Sequence, residues 1–159
     1  MTREEYYMGE AIAEAKKAYA LKETPIGAVI VYNGEIVGRG FNKVEITEDS
    51  TNHAEMVAIK NATENLNRWR LFDCEMYVTM EPCFMCTGAI VNSRIKKVYI
   101  GARHNKNEIV DKHNDFQHEF FMDNKVETVY DIKEEECSKI LSDFFKERRE
   151  EKKLKRKSL

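Results

Sequence analysis

The chain has 159 residues, 42% of them hydrophobic and 34% charged, which suits one soluble domain with a sizeable core and little length to spare. Lys and Arg number 26 against 28 Asp and Glu, a net charge of −2, and this excludes a protein that coats itself in nucleic acid by charge alone. Low Gly and Pro counts, 7 and 2, exclude a collagenous or linker-rich chain, and no apolar run reaches the length of a membrane span.

The distribution of charge is more informative than its sum. Residues 146–159 hold eight Lys or Arg and three Glu, a local +5, so the rest of the chain carries −7 and the C-terminus is the only basic segment. Met1-Thr2-Arg3-Glu4-Glu5 is acidic rather than a basic lead into an apolar run, so a cytoplasmic location is expected. Of the four cysteines, two form a Cys83-x-x-Cys86 pair, which points to metal or redox chemistry rather than a disulfide scaffold.

Met8, Ala11, Ile12, Ala15, Ala18 and Tyr19 recur at helical spacing and predict an amphipathic first helix up to about Leu21, with Pro25 ending the pattern. Ile26 to Tyr32 and Glu35 to Phe41 read as strands joined at Asn33-Gly34, a strong hairpin signal. The polar stretch from Thr47 to Asn52 reads as a loop with several candidate caps, and Ala54 to Leu66 as a second helix. A third strand is expected at Met76 to Met80, and a helix that Pro82 opens at its first position and that runs to about Ser93. A fourth strand follows at Lys97 to Ile100.

Gly101 to Asn114 is polar and carries no clear pattern. Phe116 to Met122 reads as a short helix and Val126 to Val129 as a fifth strand. Asp131 is the expected cap of a last helix, in which Cys137, Ile140, Leu141, Phe144 and Phe145 keep helical spacing and Glu134, Glu135 and Glu136 lie at the positive end. Beyond Arg149 the charged tail is expected to fray. A hairpin followed by strand-helix units predicts an α/β three-layer domain, a five-stranded mixed sheet with helices on both faces.

The chemistry is concentrated in two short segments, His53-Ala54-Glu55 and Pro82-Cys83-Phe84-Met85-Cys86, each at a predicted helix start. Two thiolates and one imidazole suit zinc, and three protein ligands leave a tetrahedral position open for water. The positive end of a helix favours the thiolate form of cysteines in its first turn. Glu55 lies roughly 200° around a helix from His53, so the two cannot share a lateral face. They can share a helix tip, where Glu55 would sit beside a metal-bound water as a general acid and base. Each motif alone has plain alternatives: a chance His-x-Glu, a redox pair, or half of a structural site closed by Cys74, Cys137, His104, His113 or His118.

These residues resemble the zinc-dependent nucleobase deaminases of the cytidine and deoxycytidylate deaminase superfamily, and within it the bacterial tRNA-specific adenosine deaminases. The resemblance covers nearly the whole chain and rests on Pro25–Val31, Gly40-Phe41-Asn42, His53-Ala54-Glu55, Tyr77–Ala89 and Phe144–Arg149. It implies a cytidine-deaminase-like fold, with residues 1–149 as the deaminase domain and 150–159 as a basic tail. It also implies one Zn2+ per chain held by His53, Cys83 and Cys86, and Glu55 as proton shuttle.

Asn42 would be the pocket asparagine at a purine edge or its sugar, or else a turn residue ending strand two. Ile26, Ala54, Met80 and Phe84 would line the base pocket, though taken alone such residues are more often core. Phe144 and Phe145 with the basic residues after them would meet an anticodon loop, or else be a buried stripe with a solvated end. His104 stands where the family usually has an aspartate, and the Asn105-Lys106-Asn107-Glu108 stretch lacks the usual threonine and glycine.

The implied function is hydrolytic deamination of adenosine at the wobble position of a tRNA anticodon loop by a homodimer without membrane attachment. The alternatives are deamination of a free purine or pyrimidine base or nucleoside, and a non-catalytic zinc-stabilised RNA-binding domain.

Overall fold

In a computed structural model, residues 1–104 and 108–158 are described, the side chains of 108–115 excepted. Thr2 opens helix α1 (Arg3–Ala20), its hydroxyl accepting the Glu5 N–H at 3.0 Å. Strands β1 (Gly27–Tyr32) and β2 (Glu35–Phe41) form the expected hairpin. Asn33 and Gly34 at its tip have φ of 50° and 78°, the paired positive values of a tight hairpin turn. A single-turn helix α2 (Val44–Thr47) then forms over residues to which the sequence assigned no element, overlapping the expected Thr47–Asn52 loop only at Thr47, and α3 (Ala54–Leu66) follows.

Strand β3 (Glu75–Met80), helix α4 (Phe84–Asn92) and strand β4 (Lys97–Ala102) form a parallel crossover unit, and α5 (Glu108–Asp123) and β5 (Glu127–Val129) form a second. The final helix α6 runs from Glu134 to Lys157.

The five strands lie in the order β2-β1-β3-β4-β5, antiparallel from β2 through β3 and parallel from β3 to β5. Alternation along the strands divides the interior. Ala28, Ile30, Met76, Val78, Val98 and Ile100 face Ala54, Ala58, Ile90 and Phe121 of α3, α4 and α5. Val29, Val31, Tyr77 and Tyr99 face Met8, Ala11 and Ile12 of α1 and Cys137 of α6. The domain is therefore the expected three-layer α/β fold with a five-stranded mixed sheet.

Four local expectations are corrected. Pro82 lies outside α4, whose N-cap is Cys83. Asp131 does not cap α6; it takes φ 65° and pairs with Arg103 at 3.1 Å, while Lys133 is the N-cap and contributes no side-chain bond. The helix expected over 116–122 begins at Glu108, and the last helix continues through the charged tail to Lys157 instead of fraying beyond Arg149. Residues 105–107, where the sequence departs from its resemblance, lie outside the described residues.

What places the site is the approach of α3 to β2. A Cβ on Gly40 would stand 2.3 Å from the Ala54 carbonyl oxygen, and one on Gly38 would stand 2.5 Å from that of Ala58. Ala54, Ala58 and Ala62 offer the helix side of this seam, and all three are fully buried. Glycine against alanine lets backbone approach backbone and fixes how far the α3 tip reaches along the sheet. Gly40→Ala is expected to cost about 1–3 kcal/mol through overpacking. A chemical-denaturation midpoint equal to that of the wild type would show that the seam is not close-packed.

Candidate functional site

Helices α3 and α4 start at the same end of the sheet, and each presents its N-cap without using that side chain as a cap. His53 precedes α3 with φ −71° and ψ 156°, and Cys83 precedes α4 with φ −73° and ψ 177°; neither makes a side-chain capping bond. Both side chains are thus left to point off the helix ends. Cys86, in the first turn of α4, joins them and is fully buried.

Nδ1 of His53 lies 3.5 Å from Sγ of Cys83 and 3.5 Å from Sγ of Cys86, and all the ligand atoms fall within 4.8 Å of one another. For a tetrahedral zinc with sulfur at ~2.3 Å and nitrogen at ~2.0 Å, adjacent ligand atoms are about 3.6 Å apart, so the spacing fits this ion. A set of two sulfurs and one nitrogen also suits zinc over magnesium or calcium, which take oxygen.

The thiols respond to each other before any metal does. The Cys86 thiol hydrogen-bonds Cys83 and holds it down to about 5, while the same bond and burial push Cys86 well above the usual thiol range. The pair therefore shares one proton, which a divalent ion must displace to gain two thiolates.

Glu55 is 4% exposed, and burial is the main cause that pushes its carboxyl up to about 7. It also hydrogen-bonds Cys86, which places it against the ligand set without completing it. Gln117 of α5 braces the other strand-helix turn, its side-chain amide donating to the Pro82 carbonyl.

A cavity of about 550 Å³ opens over His53, Glu55 and Cys83. Of the residues expected to bind substrate, Ile26, Asn42, Ala54, Met80, His104, Phe144 and Phe145 all line it. Asn42 donates from Nδ2 to the Thr24 carbonyl at 3.3 Å, and its Oδ1 is buried with no hydrogen-bond partner among the described residues. That oxygen is an acceptor available to a ligand.

The two α6 phenylalanines divide the roles that the sequence left open. Phe144 is buried edge-on to Tyr19, whereas Phe145 is 46% exposed at the cavity rim. Phe84 is the residue the structure moves elsewhere. It is absent from the cavity wall, 57% exposed, and meets Phe116 of α5 edge-on at 5.2 Å.

Arg148 and Lys152, among the basic residues that the sequence placed with Phe144 and Phe145, line the cavity at i+4 and i+8 from Phe144, a spacing that extends the same α6 face. Other wall residues were missed from sequence. Lys22, Thr24, Val44 and Glu45 come from segments with no regular pattern, and no sequence signal marks them. Of the rival ligands, His104 lines the cavity outside the His53-Cys83-Cys86 group, and three stand apart. Cys74 is buried beside Asp73, Cys137 is buried in the α1–α6 core, and His118 packs on Tyr130; the His113 side chain lies outside the described residues.

Known proteins resemble this chain in sequence and fold. The model of the cytidine and deoxycytidylate deaminase zinc-binding region matches residues 1–102. A tRNA-specific adenosine deaminase of Bacillus subtilis (strain 168) is 46% identical over 159 residues, covering 100% of this chain and 99% of the relative. Among solved structures, one from studies of A-to-I editing by tRNA:A34 deaminases at the wobble position superposes with a TM-score of 0.75 at 35% identity, covering 86% of this chain and 99% of that one. The guanine deaminase of Bacillus subtilis superposes with a TM-score of 0.61 at 40% identity, over 63% of this chain and 64% of its own. With its His-Cys-Cys group, its buried glutamate and matches of this extent, the chain belongs to the cytidine and deoxycytidylate deaminase zinc-binding family.

Proposed function

We propose that this chain is a zinc-dependent hydrolytic deaminase that converts adenosine to inosine at the wobble position of a tRNA anticodon loop. The observation that carries this reading is one cavity in which a His-Cys-Cys ligand set and a buried carboxylate form the floor and α6 supplies an aromatic and cationic rim. The purely structural alternative has no use for Glu55, which lies buried beside the ligand set without being needed to complete it.

His53, Cys83 and Cys86 would hold zinc, which when bound would acidify a water and so provide a nucleophile at neutral pH. With zinc in place, Glu55 would carry one proton from the attacking water to N1 of the adenine ring and a second, from the hydroxyl left on C6, to the amine, which departs as ammonia as the carbonyl of inosine forms. Asn42 orients the nucleoside through its buried Oδ1, and Ile26, Ala54 and Met80 form the apolar walls around the base. An adenine must leave its stack to reach such a floor, which favours an unpaired loop over a duplex.

On the rim, the exposed ring of Phe145 suits a neighbouring base, and Arg148 and Lys152 suit phosphates. Residues 150–159 act with the domain of residues 1–149 in this contact. A second copy of the chain covers the exposed Phe84 and Phe116 rings in a homodimer. No helix among the described residues is long and apolar enough to cross a membrane, and a cytoplasmic location accords with a tRNA substrate.

A second reading, deamination of a free purine, is favoured by His104 on the cavity wall and by the likeness to the guanine deaminase structure. Incubation with total tRNA and with a panel of free bases and nucleosides separates the two. Inosine in tRNA is expected; ammonia from a free purine alone would replace the first reading by the second.

Three further outcomes test the assignment. Cys83→Ser is expected to lose most of its zinc by elemental analysis; full retention, or a cobalt-substituted spectrum with four sulfur ligands, would overturn the ligand set. Glu55→Ala should keep fold and zinc yet lose about 10²–10⁴ in turnover, the usual contribution of a general acid and base. Near-normal deamination by that variant defeats the shuttle role. Truncation after Arg149 should weaken RNA binding and flatten the slope of log K against log salt by roughly 0.7 to 0.9 per lost phosphate contact. An unchanged slope assigns the tail to solvent.

A further inference from the structure

Glu23 is a carboxylate without a place in the chemistry so far, yet it is 1% exposed. Its backbone N–H bonds the Ala18 carbonyl at 2.9 Å, so it is seated on the C-terminal end of α1. Its side chain reaches across to α2, where Oε1 accepts the Glu45 N–H at 2.8 Å and the Ile46 N–H at 3.1 Å, and Oε2 lies 3.2 Å from the Glu45 N–H. Those are first-turn N–H groups of a helix whose N-cap, Lys43, offers no side-chain acceptor. The cap is supplied by a residue 22 positions away in sequence.

The clasp joins two stretches of cavity wall. Lys22 and Thr24 flank Glu23 and line the cavity, and Val44 and Glu45 line it from α2. Asn42 stands between them, its own N–H on the Ile26 carbonyl at 3.1 Å and its Nδ2 on the Thr24 carbonyl at 3.3 Å. A four-residue helix has no stability of its own. Without the carboxylate, water satisfies its first N–H groups and the tie to the α1 end of the cavity is lost, leaving α2 held from the other side, where the Lys43 N–H meets the Asn52 carbonyl at 3.1 Å and Asn52 Nδ2 meets Thr47 Oγ1 at 2.8 Å.

We infer that Glu23 is a positioning residue for the deamination: it clasps α2 against the cavity and thereby holds Asn42 and the Val44–Glu45 wall where the nucleoside is oriented. This rests on the adenosine deaminase reading above. Most of an RNA's binding surface lies outside the base pocket, so loosening this wall acts on orientation of the base more than on affinity. A misplacement of about 1 Å can cost on the order of 10² in rate.

The test uses full-length, zinc-loaded Glu23→Ala, Glu23→Gln and wild type on an anticodon stem-loop RNA with adenosine at the wobble position. Zinc content is expected to be equal in all three. For Glu23→Ala, kcat should fall about 10²-fold with KM near the wild-type value. Glu23→Gln keeps Oε1 as an acceptor and should recover part of that loss. Hydrogen exchange of the Glu45 and Ile46 amides, without substrate, should be slow in wild type and fast in Glu23→Ala.

A role in stability alone would lower Tm and leave kcat per zinc-loaded molecule unchanged, and that result overturns the inference. So does unaltered exchange of the two amides, or a Gln variant no better than Ala. If Glu23→Ala does not fold, the volume-conserving Gln variant carries the comparison with wild type. A wild type that makes no inosine removes the substrate reading but not the clasp, which the exchange measurement then decides.

Discussion

The close packing of α3 on β2 is the constraint from which the site follows. Gly38 and Gly40 leave no room for a side chain beneath Ala54 and Ala58, so helix and strand meet backbone to backbone. That depth sets the reach of the α3 tip, and with it where His53 stands relative to the start of α4. The ligand spacing of 3.5 Å from Nδ1 to each sulfur is a consequence of two helices held at the right height above one sheet. A helix displaced by the width of a methyl group would leave three good ligands unable to share an ion.

Two helix N-termini directed at one point also set the electrostatics. Both ends carry the positive pole of the helix dipole, which favours thiolates and, once a divalent ion is bound, a deprotonated water. Burial works in the opposite direction on Glu55, pushing its carboxyl up to about 7, so that a proton can be both accepted and released near neutrality. The same few ångströms thus hold groups that want negative charge and one that resists it. Such a division of roles is what proton transfer between a nucleophile and a leaving group requires.

Helix α6 joins the core to the cavity rim. Its first half is core, with Cys137, Leu141 and Phe144 buried. Its second half continues past the domain as a cationic rod on which Arg148 and Lys152 still face the cavity. Overall acidity and a basic C-terminus are therefore compatible. The −7 of residues 1–145 discourages indiscriminate binding of nucleic acid, and of the +5 beyond them Arg148 and Lys152 line the cavity.

Much of this was legible in the residues themselves. Helical periodicity from Met8 to Tyr19, alternation and β-branching from Ile26 to Phe41, and the Asn33-Gly34 turn are local properties, encoded within a few residues of where they act. The ligand set was legible because metal coordination demands rare residue types at tight spacing. Other features depend on contacts between distant segments. α2 takes its N-terminal cap from Glu23 across the chain, α6 starts at Glu134 while Asp131 pairs with Arg103 instead of capping it, and Phe84 packs edge-on to Phe116 of α5. Local sequence by itself determined which elements form and which residues can bind zinc. The tertiary structure alone decided which side chains wall the cavity, since a wall is built from segments that meet only when the sheet and its two helical layers close.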